Sequence, residues 1–241
     1  PALLDSLQLP YTCAGVLGMS LSHNKDIAKR IFRFAGLPTS NFRVFDSPAE
    51  INDEGLSYPL FIKPATEGSS IGINEHALVR NHEELEKQVE WVWKTTQAEI
   101  LVEEYIEGRE FTIGILGDEA LPIVEIVSPT GFYSDEQKED LESEVYRICP
   151  APLPPEKTKE FQDLALKAKR VLELQDVCRM DMRMDENGHP FVLEVNPIPL
   201  MYPDPEQASL IYAADTVGYA YTDVVHKIIN SAAKRWKIMI D

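Results

Sequence analysis

Apolar positions along the chain fall into two periods. Ile27, Ile31, Phe34 and Ala35 recur at helical spacing, behind the polar start Ser22-His23-Asn24-Lys25-Asp26 and ahead of Gly36 and Pro38, which predicts a capped helix. A second helix begins at Asn81, with Glu84 as its capping-box partner, and buries Leu85, Val89 and Val92. A long third helix uses Phe161, Leu164, Ala165, Ala168, Val171 and Leu172 as one face, and further helices fill Gln207 to Trp236. Strand patterns cover Phe42 to Phe45, Tyr58 to Lys63 and Glu99 to Ile106. Glu110 to Leu116 runs to a Gly117-Asp118 turn, with Leu121 to Val127 as its antiparallel return, and Cys178 to Met184 and Pro190 to Val195 form a hairpin around Asn187-Gly188. Leu3 to Leu9 reads as the end of a helix, Ala65 to Ile73 as a Gly/Ser loop, and the polar stretch from Ser128 to Glu144 as a mobile loop. This mixture predicts an α+β fold with antiparallel sheet.

Composition narrows the function. The 241 residues are 44% hydrophobic and 26% charged, ordinary for a globular chain large enough for a full core. No apolar run approaches the roughly 18 residues that span a bilayer, which argues against a membrane partner. A net charge of −17 without a basic stripe argues against a nucleic-acid partner, yet leaves room for a nucleotide in a cleft holding a few cations. Cys13, Cys149 and Cys178 stand far apart without a CxxC pair, so a disulfide scaffold is not expected and a cytoplasmic location is. The five histidines lack metal-site spacing. Pro1-Ala2-Leu3 is not an initiator sequence, which suggests the remainder of a longer protein.

Three segments carry candidate chemistry. In Arg179-Met180-Asp181-Met182-Arg183 the polar residues share one strand face, and Glu194 and Asn196 share a face of the returning strand. Asp181 and Glu194 would then be cross-strand neighbours, a repulsive pair unless a cation sits between them, and an Asp-Glu-Asn oxygen set suits Mg²⁺. A solvated strand face is the plainer alternative. Lys63 closes an apolar strand before Pro64 to Gly72, whose small residues can approach an anion closely, although the segment lacks a Walker A ending and an ordinary loop fits it as well. Glu103 to Glu110 places two acids at a strand end before Gly108, a hinge able to read an adenine edge, or an acidic sheet edge with no ligand.

Taken in order, Lys25 at a helix start, Lys63 with EGSSIG, EEYIEGREFT, and RMDMR with LEVNPIP resemble the ATP-grasp superfamily, and more narrowly the D-alanine–D-alanine ligase family, over about Leu9 to Ser231. The resemblance implies two α+β subdomains with antiparallel sheets clasping a nucleotide: residues 1–20 a remnant or linker, 21–102 the central subdomain and 103–241 the C-terminal one. It implies that Lys25 and Lys63 hold the ATP phosphates and that Ser69, with Glu67, Gly68 and Ser70, closes over them. Glu103 would accept from the adenine amino group beside the backbone of Glu104, Tyr105 and Ile106, Glu110 would bind ribose, and Leu193 would join the same nucleotide set. Asp181, Glu194 and Asn196 would ligate Mg²⁺ (Mn²⁺ as the alternative ion), with Arg179 on the acyl phosphate and Lys138 of the flap on the γ-phosphate. Ser209 and Leu210 match the pair that meets the second substrate's carboxylate.

The implied activity is an ATP-dependent ligase that joins two amino acids through an acyl phosphate, D-alanyl-D-alanine leading, with a homodimer as the default assembly. Three departures bear on it. The family's N-terminal domain is not in the sequence, Leu200 stands where the family has a glycine, and Glu139 rather than an aromatic follows Lys138. They leave two alternatives, a ligase for other amino acids or peptides and a non-catalytic ATP-binding module.

Overall fold

A computed structural model describes residues 1–68, 71–128 and 145–239. Two antiparallel sheets organise it. The first has strands β1 (Phe42–Phe45), β2 (Leu60–Pro64), β3 (Leu78–Val79) and β4 (Ile100–Glu104), in the order β1-β4-β2-β3. Helix α4 (His82–Thr96) covers one face, burying Leu85, Val89 and Val92 on Leu60, Ile62, Ile100 and Val102. The Asn81 side chain accepts from the Glu84 backbone, whereas the Glu84 carboxylate reaches the Arg80 N–H, one residue earlier than a capping box requires.

The second sheet has β5 (Arg109–Leu116), β6 (Glu119–Ala120), β7 (Val124–Val127), β8 (Tyr146–Ile148), β9 (Val177–Met184) and β10 (Pro190–Asn196), with a main path β10-β9-β5-β7-β8 and β6 paired to β5. The return strand expected over Leu121 to Val127 is shortened to β7, since Pro122 has no N–H to give the ladder, and the short β6 precedes it. One face packs Phe111, Ile113, Met180, Met182, Val192 and Val195 against α5 (Pro155–Val171), with Phe111 and Phe161 edge to face at 5.1 Å. Beyond the far end of the opposite face, α6 (Ser209–Thr216) and α7 (Tyr221–Trp236) add a second core. Gly114 lets α6 approach, since a Cβ there would lie 3.1 Å from Leu210.

Before these come α1 (Ala2–Ser6), α2 (Val16–His23) and α3 (Lys25–Phe34). The sequence pattern misses α2, whose glycine at position 18 sits 2.9 Å, measured to an added Cβ, from the Glu173 carbonyl. Asn24 caps α3 by accepting from the Ile27 N–H at 3.0 Å, and the Lys25 N–H donates to Ala65 O at 2.8 Å, which pins the helix start to the end of β2. Among the described residues, no helix is long and apolar enough to cross a membrane.

Candidate active site

Register decides which side chains meet. On the first sheet, Phe61 opposes Glu103 and Lys63 opposes Leu101, so Lys63 and Glu103 share the face away from α4. On the second, Thr112 opposes Asp181 and Glu110 opposes Arg183, again on the face away from the main core. The returning strand would not follow by alternation alone. Val192 pairs with Met182, and unbroken pairing would set Glu194 against Met180 on the core face. A bulge between Val192 and Glu194 inserts Leu193 and brings Glu194 opposite Asp181.

The polar faces border two adjoining cavities. One, of about 270 Å³, lies among Lys25, Lys63, Gly68 and Glu194. The other, of about 680 Å³, is bounded by Phe61, Tyr105, Glu110, Asp181, Arg183 and Leu193, and Lys63 and Glu194 line both.

Lys25 Nζ donates to the Glu67 carbonyl and lies 3.6 Å from the Glu194 carboxylate. Glu103, buried, takes Lys63 on one oxygen at 2.6 Å and Lys29 on the other at 2.7 Å, where Ser40 also donates at 2.8 Å. Burial alone would raise the Glu103 pKa, but the two ammonium groups hold it well below the usual carboxylate range. Burial pulls Lys29 down; in Lys63 the same burial is outweighed by Glu103 together with Glu194 and Glu110, and its pKa rises.

Asp181 receives a fork from Arg179 at 2.9 and 2.8 Å, the Thr112 hydroxyl at 2.6 Å and the Asn196 amide at 2.9 Å. Arg183 donates to Glu110 at 2.8 Å and to the carbonyls of Ile106 and Gly108 at 2.7 and 2.8 Å, with its guanidinium 4.7 Å from the centre of the Tyr105 ring. Tyr105 in turn stacks on Phe61. Burial pushes the Glu110 carboxyl up to about 6; Arg183 opposes the shift, while Asp181 and Glu194 add to it.

A family model described as the D-ala D-ala ligase C-terminus matches residues 31–230. The chain belongs to the D-alanine–D-alanine ligase family. It is 37% identical to the D-alanine–D-alanine ligase of Aquifex aeolicus over 94% of its length and 75% of that protein's, and 36% identical to that of Bordetella petrii over 95% and 70%. The D-alanine–D-alanine ligase of Bacillus anthracis, solved in complex with ATP, superposes with a TM-score of 0.83 at 26% identity, over 98% of this chain and 74% of that one. These ATP-grasp neighbours carry the α+β fold expected from the sequence.

Within that family frame, Lys25, Lys63, Glu67, Gly68, Tyr105, Ile106, Glu110, Asp181, Leu193 and Glu194 border the cavities. Arg179 and Asn196 adjoin them through Asp181. Glu104 turns partly aside, accepting from the Ser57 N–H and the Asn41 amide. Glu103 lines the larger cavity, but its carboxylate, offered by the sequence to an adenine amino group, holds Lys29, Lys63 and Ser40. Leu210 is buried beneath β5, so its backbone N–H in the first turn of α6, beside Ser209, is the part able to meet an anion. Ser69, Ser70 and Lys138 lie outside the described residues.

Two of the three expected ligands present an oxygen to a hard cation, whereas both Asp181 oxygens are held by Arg179, Thr112 and Asn196. The Asn196 amide gives Nδ2 to Asp181 and so presents Oδ1, and Glu194 is one-third exposed with, among the described residues, only Lys25 beside it at salt-bridge range. Sequence reading missed Lys29, Thr112 and a role for Arg183. Lys29 had a signal, a lysine on the buried side of an amphipathic helix between Ala28 and Phe32.

Proposed function

We propose that the chain is an ATP- and Mg²⁺-dependent ligase that joins two amino acids, D-alanyl-D-alanine first among products. The observation that carries this reading is the bulge that sets Glu194 across from Asp181, beside a cavity that also holds Lys25 and Lys63. Membership of the family and the fold of the ATP-bound relative support it.

Asp181, Glu194 and Asn196 would hold Mg²⁺, which supplies positive charge where phosphate oxygens gather. Lys25, 3.6 Å from Glu194, and Lys63 would grip those oxygens. Tyr105, packed between Phe61 and Arg183, and the backbone at Ile106 would bound the base, with Glu110 on the ribose.

The chemistry then needs placement more than covalent help. A substrate carboxylate oxygen bonds to the γ-phosphorus as its bond to the β-bridging oxygen breaks, giving an acyl phosphate and ADP. The amine of the second amino acid attacks that carbonyl, phosphate leaves, and the ammonium proton is lost to give the amide. Arg179, bonded to Asp181 beside the cavity, would offset charge in both steps. Ser69 and Lys138 would close over the phosphates.

One feature favours a different pair of amino acids. Leu200, 52% exposed and four residues after Asn196, replaces the family's glycine with a branched side chain in the loop that leaves the metal strand. Three free thiols fit a cytoplasmic enzyme, and a homodimer completes the proposal.

Phosphate release from Mg·ATP, screened over D- and L-amino acids with mass spectrometry of the products, tests the reading. Release that depends on D-alanine and yields its dipeptide supports the lead, and release with another amino acid supports the second reading. No release with any of them, despite ATP binding, would leave a nucleotide-binding module.

A further inference from the structure

Lys29 sits one helical turn beyond Lys25 on α3, yet none of its side chain reaches solvent and it lines neither cavity. Each of its three N–H bonds has an acceptor: Thr39 Oγ1 at 2.7 Å, Ser40 Oγ at 2.9 Å and Glu103 Oε2 at 2.7 Å. The anchor is itself fixed. The Thr39 hydroxyl donates to Val192 O at 2.8 Å, and the Val192 N–H returns a bond to Pro38 O at 2.8 Å. Lys29 therefore has one position and three full partners.

What it acts on is Glu103, and through Glu103 on Lys63. Glu103 Oε1 is the acceptor that holds Lys63 Nζ at the cavity wall, 2.6 Å away. A Glu103–Lys63 pair by itself would be neutral, and a phosphate would have to draw Lys63 away from its own carboxylate. With Lys29 on the other oxygen, the buried trio carries one net positive charge, and Glu103 divides its attraction between two ammonium groups. Burying a third charge is costly unless its partners are complete, and here they are.

We propose that Lys29 is a positioning residue for nucleotide binding: it touches no ligand, but by neutralising and fixing Glu103 it leaves Lys63 placed and electrostatically available for phosphate. The proposal rests on the reading that this cavity takes ATP.

Calorimetric titration of Mg·ATP into the purified chain tests it. Lys29→Met, similar in length and uncharged, is expected to loosen binding about tenfold, the size of coupling found between contacting residues. Because the effect runs through Lys63, Lys29→Met combined with Lys63→Met should bind no more weakly than Lys63→Met alone. A merely structural role would lower stability in both backgrounds and leave no such non-additivity. Wild-type affinity in Lys29→Met, or a full additional loss in the double variant, would overturn the proposal. Should Lys29→Met not fold, Ser40→Ala carries the test: it removes one donor from the same Glu103 oxygen, and about threefold weaker Mg·ATP binding is expected. Unchanged affinity there would count against Lys29. A wild-type chain that binds no Mg·ATP would sink the nucleotide reading itself, a separate failure.

Discussion

Asp181 and Glu194 oppose each other across β9 and β10 because Leu193 bulges out of the ladder between Val192 and Glu194. Were Leu193 paired in an unbroken ladder, Glu194 would fall opposite Met180, among the buried methionines and valines of the other face. The bulge leaves Val192 and Val195, both buried core residues, three positions apart where an unbroken strand would keep an even spacing. Its edge is secured from outside by Pro38 and Thr39, which bond both backbone groups of Val192 on a strand that would otherwise offer them unpaired. The acidic pair thus depends on the hairpin and on Pro38 and Thr39, a segment distant from it in sequence.

Glu103 should be essential to stability apart from any ligand. Glu103→Gln would leave Lys29 and Lys63 buried against each other with no counter-charge, and a loss of about 3–5 kcal/mol is expected. Urea unfolding measures it. Adding Lys29→Met to Glu103→Gln should recover part of the loss, and a further loss in the double variant would contradict the ion-trio account.

Glu110 gives a pH signature. Its carboxyl titrates at about 6 in the folded chain against an ordinary 4.5, so the folded state holds that proton more tightly than the unfolded state does. The resulting stabilisation is complete below about 4.5 and is lost as pH rises through 6. Relative to Glu110→Gln, the wild-type chain should therefore gain about 2 kcal/mol of stability on going from pH 7 to pH 4.5. Unfolding curves for both chains across this range check it, and parallel pH profiles would argue against the raised value.

Gly108 is needed for its missing side chain. Its φ is +135°, and a Cβ there would stand 2.1 Å from the Met184 carbonyl oxygen. Gly108→Ala should cost about 3 kcal/mol or more. Because the Gly108 carbonyl also holds Arg183, the same substitution should shift Arg183 off Tyr105 and weaken nucleotide binding. Unfolding and Mg·ATP titration on one preparation would reveal both effects, and a variant of wild-type stability would refute the steric argument.

Much of this was legible in the chain. Alternation in Arg179 to Arg183 and the Asn187-Gly188 turn were enough to foresee the last hairpin, and Asn24 and Asn81 marked helix starts that both bear side-chain caps. The Asp181–Glu194 pairing was foreseen as well, although its cause was not, since a one-residue bulge leaves little trace in local composition. Helix α2 escaped because its burial depends on Gly18 approaching the chain at Leu172 and Glu173, a long-range contact. Lys29 escaped for a related reason: a lysine on an apolar face is ordinarily solvated, and only the fold supplies Thr39, Ser40 and Glu103 around it.

The central claim is that the two acids of the hairpin, with the two lysines across the cavity, hold a metal-bound triphosphate. Thermal unfolding of the wild-type chain and of Glu194→Gln, each with ATP, with Mg²⁺ and with both, tests it most directly. A ligand bound to the folded state alone must raise the melting temperature. The account predicts a rise of several degrees for the wild-type chain with ATP and Mg²⁺ together, and the loss of most of that rise in Glu194→Gln, whose ligand-free melting temperature stays near wild type. An equal rise in both chains, or none in the wild-type chain, would contradict it.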